Sequence, residues 1–347
     1  MKKVIFMLAA GAIALSSCSE TEVIEQGVQT NAIGFTNHVS KGSRAITTDN
    51  FDHFKVYGSY TLSGSDKPVD IFSGGQDVNK VEGKWTYSPT RNWIKDATYT
   101  FAAYAVDKGA ALPGRANYGS EIDGNAYYLN LAEVVIDGGN GHQLDIVYAK
   151  PDKEYVGKDK GNEIVALEFK HILSRLDFTF KSELPDGFNA EISNVRLVSV
   201  RNTGLFDGKD LAWKNVDRTV AVDLVAPIQL GIIGNDGKLE KEKPVTTGYA
   251  YVIPFEYTVK NVGIRFNIKI TDSRSDDATI IDKDVSAYWA PQWAKNNTYS
   301  YTIIINGTAA GLEPIEFTGS VADWETGTPS TPEFNIDPQP LPGTTEP

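Results

Sequence analysis

The sequence predicts an all-β protein built as two tandem β-sandwiches, and three observations predict it. Tyr, Thr, Val, Ile and Gly are abundant, with 16 Tyr and 31 Gly in the chain, a composition that suits pleated strands and turns. Apolar residues recur at a period of two in short segments bounded by Gly, Asn and Asp, and no apolar run at helical period exceeds a turn or two. At 347 residues the chain can form two domains of about 150 residues, each with its own core.

The start of the chain reads as an export signal. Lys2 and Lys3 precede an apolar run from Val4 to Leu15, which is too short to span a bilayer and has signal-peptide flanks. Residues 1–17 are therefore expected to be removed. Leu15-Ser16-Ser17-Cys18 resembles a bacterial lipobox, in which Cys18 is acylated and becomes the first mature residue. Cys18 is the only cysteine, so it forms no internal disulfide. Several acyl chains, at about 0.8 kcal/mol per buried methylene, anchor a protein where one chain is marginal. The following "SETEVIE" is acidic and resembles the surface-export signal of some Gram-negative lipoproteins, which implies an outer-membrane protein facing outward.

Residues 18–44 read as a lipidated leader carrying a first strand. In "AIGFTNHV", Ile33 and Phe35, and more weakly Asn37 and Val39, alternate toward one face, as a strand filling a groove should. Gly42 and Ser43 then precede Arg44-Ala45 and offer a protease an extended backbone to grip. An interstrand loop that is never cut is the alternative.

Residues 45–160 are expected to form the first sandwich, from "HFKVYGSYTL", "YTFAAYAV" and "YYLNLAEVVI". "KEYVGKDKGNE" is charged and poor in apolar residues, which marks the boundary. Residues 161–324 form the second, from "EIVALEF", "ISNVRLVSV", "VGIRFNIKIT" and "TYSYTIII". "LEFKHILSRLDFTF" could close the first unit or open the second, and "ELPDGFNAEI" reads as a loop. The alternation is clearest in "VGIRFNIKIT", where Val262, Ile264, Phe266, Ile268 and Ile270 form one apolar face. Residues 325–347 hold six of the 16 prolines and only Phe334, Ile336 and Leu341 as large apolar residues. That tail cannot build a core and is expected to be extended.

Little in the chain suggests catalysis. His38, His53, His142 and His171 share no metal-ligand spacing, and no nucleophile, phosphate-loop or dinucleotide motif occurs. No cofactor, metal or enzymatic activity is expected. His171 sits among apolar residues and reads as a buried, hydrogen-bonded histidine. Asp272, Asp276, Asp277, Asp282 and Asp284 lack EF-hand spacing and read as a solvated hairpin loop. With 45 acidic against 33 basic residues, a net charge of -12, a nucleic-acid partner is not expected. A surface glycan-binding lipoprotein using Trp85, Trp93 or Trp289 is the alternative function, although aromatics at strand ends, Trp293 included, more often form core corners.

Several segments together resemble one family. "WTYSPTRNWIKDATYTFAAYAV" resembles the W-x-Y-x-P…W…Y-x-F-x-A-Y-x-P stretch of the fimbrillins, the pilins of type V pili in anaerobic Gram-negative bacteria, though it lacks the closing proline. "LEFKHILSRLDFTF", "WAKNNTYSYTIII", "VADW" and "AIGFTNHVSKGSRA" resemble its F-x-H-x-L-S-x-L-x-F stretch, its late W-x-x-x-x-x-Y-x-Y-x-I strand, the close of its last core strand and its first strand with cleavage segment. The resemblance covers about residues 30 to 325. It implies export as a lipoprotein, two transthyretin-like sandwiches, cutting after Arg44 by a trypsin-like Arg-specific protease, and loss of the first strand. The opened groove would accept a strand from another pilus subunit by β-strand addition. Phe334 and Ile336 in "PEFNIDP" would be the donor, with the neighbouring prolines limiting paired length. Stalk, tip and anchor roles stay open.

Overall fold

In the computed structural model, the residues described are 31–39, 46–47, 50–119, 127–136, 144–217, 228–229, 238–239, 245–276, 278–305, 316–323 and 329–330. The chain is all-β. Its first half contributes β1 (Phe35–Val39), β2 (His53–Thr61), β3 (Val69–Asp70), β4 (Gln76–Val81), β5 (Lys84–Thr86), β6 (Thr98–Val106), β7 (Arg115–Gly119), β8 (Tyr128–Val135), β9 (Ile146–Ala149), β10 (Tyr155–Val156) and β11 (Val165–His171). There follow β12 (Ser174–Ser182), β13 (Phe188–Val198), β14 (Thr203–Asp207), β15 (Ala212–Asp217), β16 (Ile228–Gln229), β17 (Lys238–Leu239) and β18 (Val245–Val252). The last are β19 (Val262–Asp272), β20 (Ala278–Trp289), β21 (Asn297–Ile305), β22 (Glu316–Asp323) and β23 (Pro329–Ser330).

A nine-stranded sheet runs β1-β11-β9-β6-β2-β4-β5, with β10 on β6 and β3 on β2. It cannot be flat. Four strand spacings of about 4.8 Å would put β1 roughly 19 Å from β2, yet the Phe35 and Phe54 rings are 6.1 Å apart. The sheet therefore curls over a core of Phe35, Phe54, Trp85, Trp93, Phe101 and Phe169.

The second core lies between two five-stranded sheets. One runs β18-β12-β21-β22-β23, and the other runs β16-β13-β19-β20 with β17 on β13. Leu176, Phe178 and Phe180 of β12 face Ile264, Phe266 and Ile268 of β19, which is the alternation read from the sequence.

In the stretch that could close the first unit or open the second, β11 pairs with β1 and β9, and its Val165, Leu167 and Phe169 fill the first core. A four-stranded sheet, β15-β14-β8-β7, takes two strands from each half, and its Leu131 and Phe206 share a third core with Tyr148 and with Tyr251 of β18. In the segment read as a loop, the chain turns at Gly187 (φ 92°), whose carbonyl accepts from Ser273 N at 2.8 Å. β13 starts directly after it, zipped to β19 from Phe188↔Asp272 onward.

Candidate functional site: the groove filled by the first strand

β1 is an end strand of the curled sheet and pairs in parallel with β11, in register from Phe35↔Val165 to Val39↔Phe169. Its alternation follows the reading from sequence. Ile33, Phe35 and Val39 are buried, Asn37 is half-buried on the same face, and Thr36 and His38 point outward. Phe35 is the anchor. Its ring centroid lies 6.1, 6.2, 5.7 and 5.8 Å from those of Phe54, Phe72, Tyr87 and Phe101.

The leader segment also closes the curled sheet from the other side. Ile33 N donates to Arg91 O at 2.8 Å, Trp93 N to Asn31 O at 2.9 Å and Val165 N to Gly34 O at 2.9 Å. Asn31 Nδ2 donates to Trp93 O at 2.9 Å. The Tyr87 hydroxyl donates to Ile33 O at 2.8 Å, and burial pushes its pKa up, which keeps the proton on that donor. The segment is thus stitched to β11 on one edge and to residues 91–93 on the other.

Removing this strand would uncover an apolar slot between two rows of backbone groups. At about 1.5–3 kcal/mol per large apolar side chain, Ile33, Phe35 and Val39 stabilise the closed form by several kcal/mol. The same amount is available to any strand that replaces them.

Beyond the slot, Ile46 is buried in the same core, and Thr47 and Asn50 close a turn, with Thr47 N donating to Asn50 Oδ1 at 2.6 Å. The buried Val39 and Ile46 thus flank the predicted processing site. Arg44 and Ala45 themselves lie outside the described residues, as do Cys18, Phe334 and Ile336.

Sequence reasoning missed the back wall of the groove. Tyr87, Arg91 and Trp93 stand in the stretch quoted for its family resemblance, but nothing in it announces that they hold residues 31–33. It also missed Asp145, whose Oδ2 lies 2.6 Å from His171 Nδ1 with both side chains fully buried; His171 itself is the buried, hydrogen-bonded residue expected.

The tryptophans offered as a glycan platform do not form one. Trp85, Trp93 and Trp289 are 7, 4 and 2 % exposed, and Trp293 is 4 % exposed, each packed in a core. Of the acidic residues read as a loop, Asp272 and Asp276 flank the turn of the β19–β20 hairpin, where Asp272 Oδ1 accepts from Arg274 N at 2.9 Å, whereas Asp282 and Asp284 lie within β20 opposite Lys269 and Asn267, because the hairpin pairs on beyond the predicted loop. Asp277 lies outside the described residues. Among the described residues no three His, Cys, Asp or Glu side chains converge as a metal site.

A family model described as fimbrillin-like matches residues 41–324. Among solved structures, a fimbrial protein from Bacteroides vulgatus is similar at a TM-score of 0.61 and 14 % identity, covering 84 % of this chain and 99 % of that one. A candidate cell-adhesion protein from Bacteroides uniformis aligns at a TM-score of 0.41 and 19 % identity, covering 85 % and 100 %. Another from Bacteroides ovatus aligns at 0.44 and 16 %, covering 86 % and 98 %. Among curated proteins no relative matches.

Proposed function

Since the chain belongs to the fimbrillin-like family, we propose that it is a structural subunit of an adhesive surface pilus, exported as a lipoprotein on Cys18 and assembled by strand exchange. A trypsin-like protease cuts after Arg44. The leader strand departs, and a strand from another subunit takes its place against β11 and residues 91–93. One observation carries this reading. The chain segment just before Arg44 supplies an end strand whose Phe35 fills the centre of the core, so a single cut detaches a strand and leaves an apolar acceptor slot.

The test is mild trypsin on the folded protein, followed by N-terminal sequencing and sedimentation. The expected product starts at Ala45 and forms multimers, while Arg44→Ala stays uncut and monomeric. Equal multimerisation by the Arg44→Ala protein would sink the cleavage model.

A further inference from the structure

A cleft of about 1000 Å³ lies over the outward face of β1, β11 and β9. Thr36 and His38, the outward side chains of β1, form one wall, and Lys150, Lys170 and Lys295 line the rest. Its charge runs against that of the chain, which is -12 overall. Lys153, Asp152 and Glu168 also line it, but Lys153 is taken by Glu163. Lys170 meets Glu168 only at 3.6 Å, with both side chains more than half exposed.

Lys150 and Lys295 have no carboxylate within ion-pair distance among the described residues. Lys150 Nζ donates to Gly208 O at 3.2 Å and stands 5.2 Å from the Tyr128 ring centroid. Lys295 Nζ donates to Leu211 O. Burial lowers both ammonium pKa values; the charge of Lys170 adds to this at Lys295, while at Lys150 the more distant charges of Asp207, Asp210 and Asp152 partly oppose it. Both would gain from an incoming anion.

The geometry points to a charge reader beside the acceptor groove: the cleft takes the outward-facing acidic residues of the inserted strand, and the strand it fits is Glu333–Asp337 of a second copy of this chain. This inference rests on the strand-exchange reading and names the partner that reading leaves open. Residues 325–347 carry Glu325, Glu333, Asp337 and Glu346 with no Lys or Arg. Pro332 and Pro338 bracket Glu333–Asp337, a proline-free run of the same 5-residue length as β1. With Phe334 and Ile336 turned into the slot, alternation turns Glu333, Asn335 and Asp337 outward, to the side where Thr36 and His38 face the cleft. β23 ends at Ser330, paired with β22, so Glu333–Asp337 lies three to seven residues beyond it and reaches roughly 10–23 Å when extended at about 3.3 Å per residue, enough for the cleft of a second copy packed directly against this edge.

The test compares four trypsin-matured full-length chains: wild type, Lys170→Glu/Lys295→Glu, Glu333→Lys/Asp337→Lys, and all four substitutions together. Each pair alone is expected to slow polymerisation about tenfold at low salt, the combination to restore the rate, and added salt to slow the wild type. A peptide of residues 31–40, which carries no acidic residue, should bind all four matured chains alike and shows that each groove is intact. Equal, salt-insensitive rates in all four would overturn the inference and leave strand exchange standing. No wild-type polymer, with the peptide still binding, would reject the tail as occupant but not the groove. Loss of both would remove strand exchange together with the inference.

Discussion

Truncating Phe35 to alanine deletes the side chain on which four aromatic rings converge, at 5.7 to 6.2 Å between centroids, in a residue that is 1 % exposed. Phe→Ala in a packed core costs about 3–5 kcal/mol, the upper part where the site cannot collapse. Here Phe54 and Phe101 sit on strands of the curled sheet and are themselves buried, so collapse is limited and the cost should lie in the upper half of that range. With a urea slope of about 2–3 kcal/mol per molar, the midpoint falls by roughly 1.3–2.5 M. Urea titration by near-UV circular dichroism reads this directly, with Thr36→Ala, on the outward face, as a control expected to move little. The decisive comparison follows trypsin maturation. Once the leader has gone, wild type and Phe35→Ala are the same chain and must have the same midpoint. A cost below about 1 kcal/mol in the uncut protein would refute the claim that this strand completes the core. A difference that persists after maturation would show that the strand is not released.

The other expectations concern separate parts of the molecule. Cys18→Ala should move the protein from the membrane fraction to the soluble one, read by fractionation; membrane retention would reject the lipid anchor. His171→Leu leaves the Asp145 carboxylate without its 2.6 Å partner in a buried site and should cost about 3–5 kcal/mol in urea, with His171→Leu/Asp145→Leu recovering part of it. Gly157→Ala puts a Cβ 2.0 Å from Ile94 O, in the loop that follows the groove's back wall, and should destabilise the fold by about 1–3 kcal/mol. Polysaccharide should leave tryptophan fluorescence unchanged, since Trp85, Trp93 and Trp289 are buried; a shift would reopen the glycan reading.

Much of the architecture was legible because strand alternation is local. Whether Ile264, Phe266 and Ile268 face inward together, or Ile33, Phe35 and Val39, depends only on the two-residue period of an extended chain. A reader of the residues alone could therefore place both strands and state which face each buries. Leu15–Cys18 and the Arg44-Ala45 bond stand out in the sequence because each is a short contiguous pattern, and the roles proposed for them rest on that pattern.

Pairing is not local, and alternation says nothing about it. An apolar face at period two fits any groove of the right depth. Only the folded chain shows that β1 lies parallel to β11 in the register Phe35↔Val165, or that Tyr87 and Arg91 close its other side. The same limit left open which unit β11 joins, since Val165, Leu167 and Phe169 alternate equally well as the end of one unit or the start of the next. It also hid the sheet that β8 and β14 share. Tryptophan burial belonged to tertiary structure too: whether a ring at a strand end meets solvent or a core depends on which sheet curls over it. The sequence by itself determined the strands and their inward faces; the tertiary structure decided their neighbours, because hydrogen-bonded edges are chemically alike and only the packing of whole faces tells them apart.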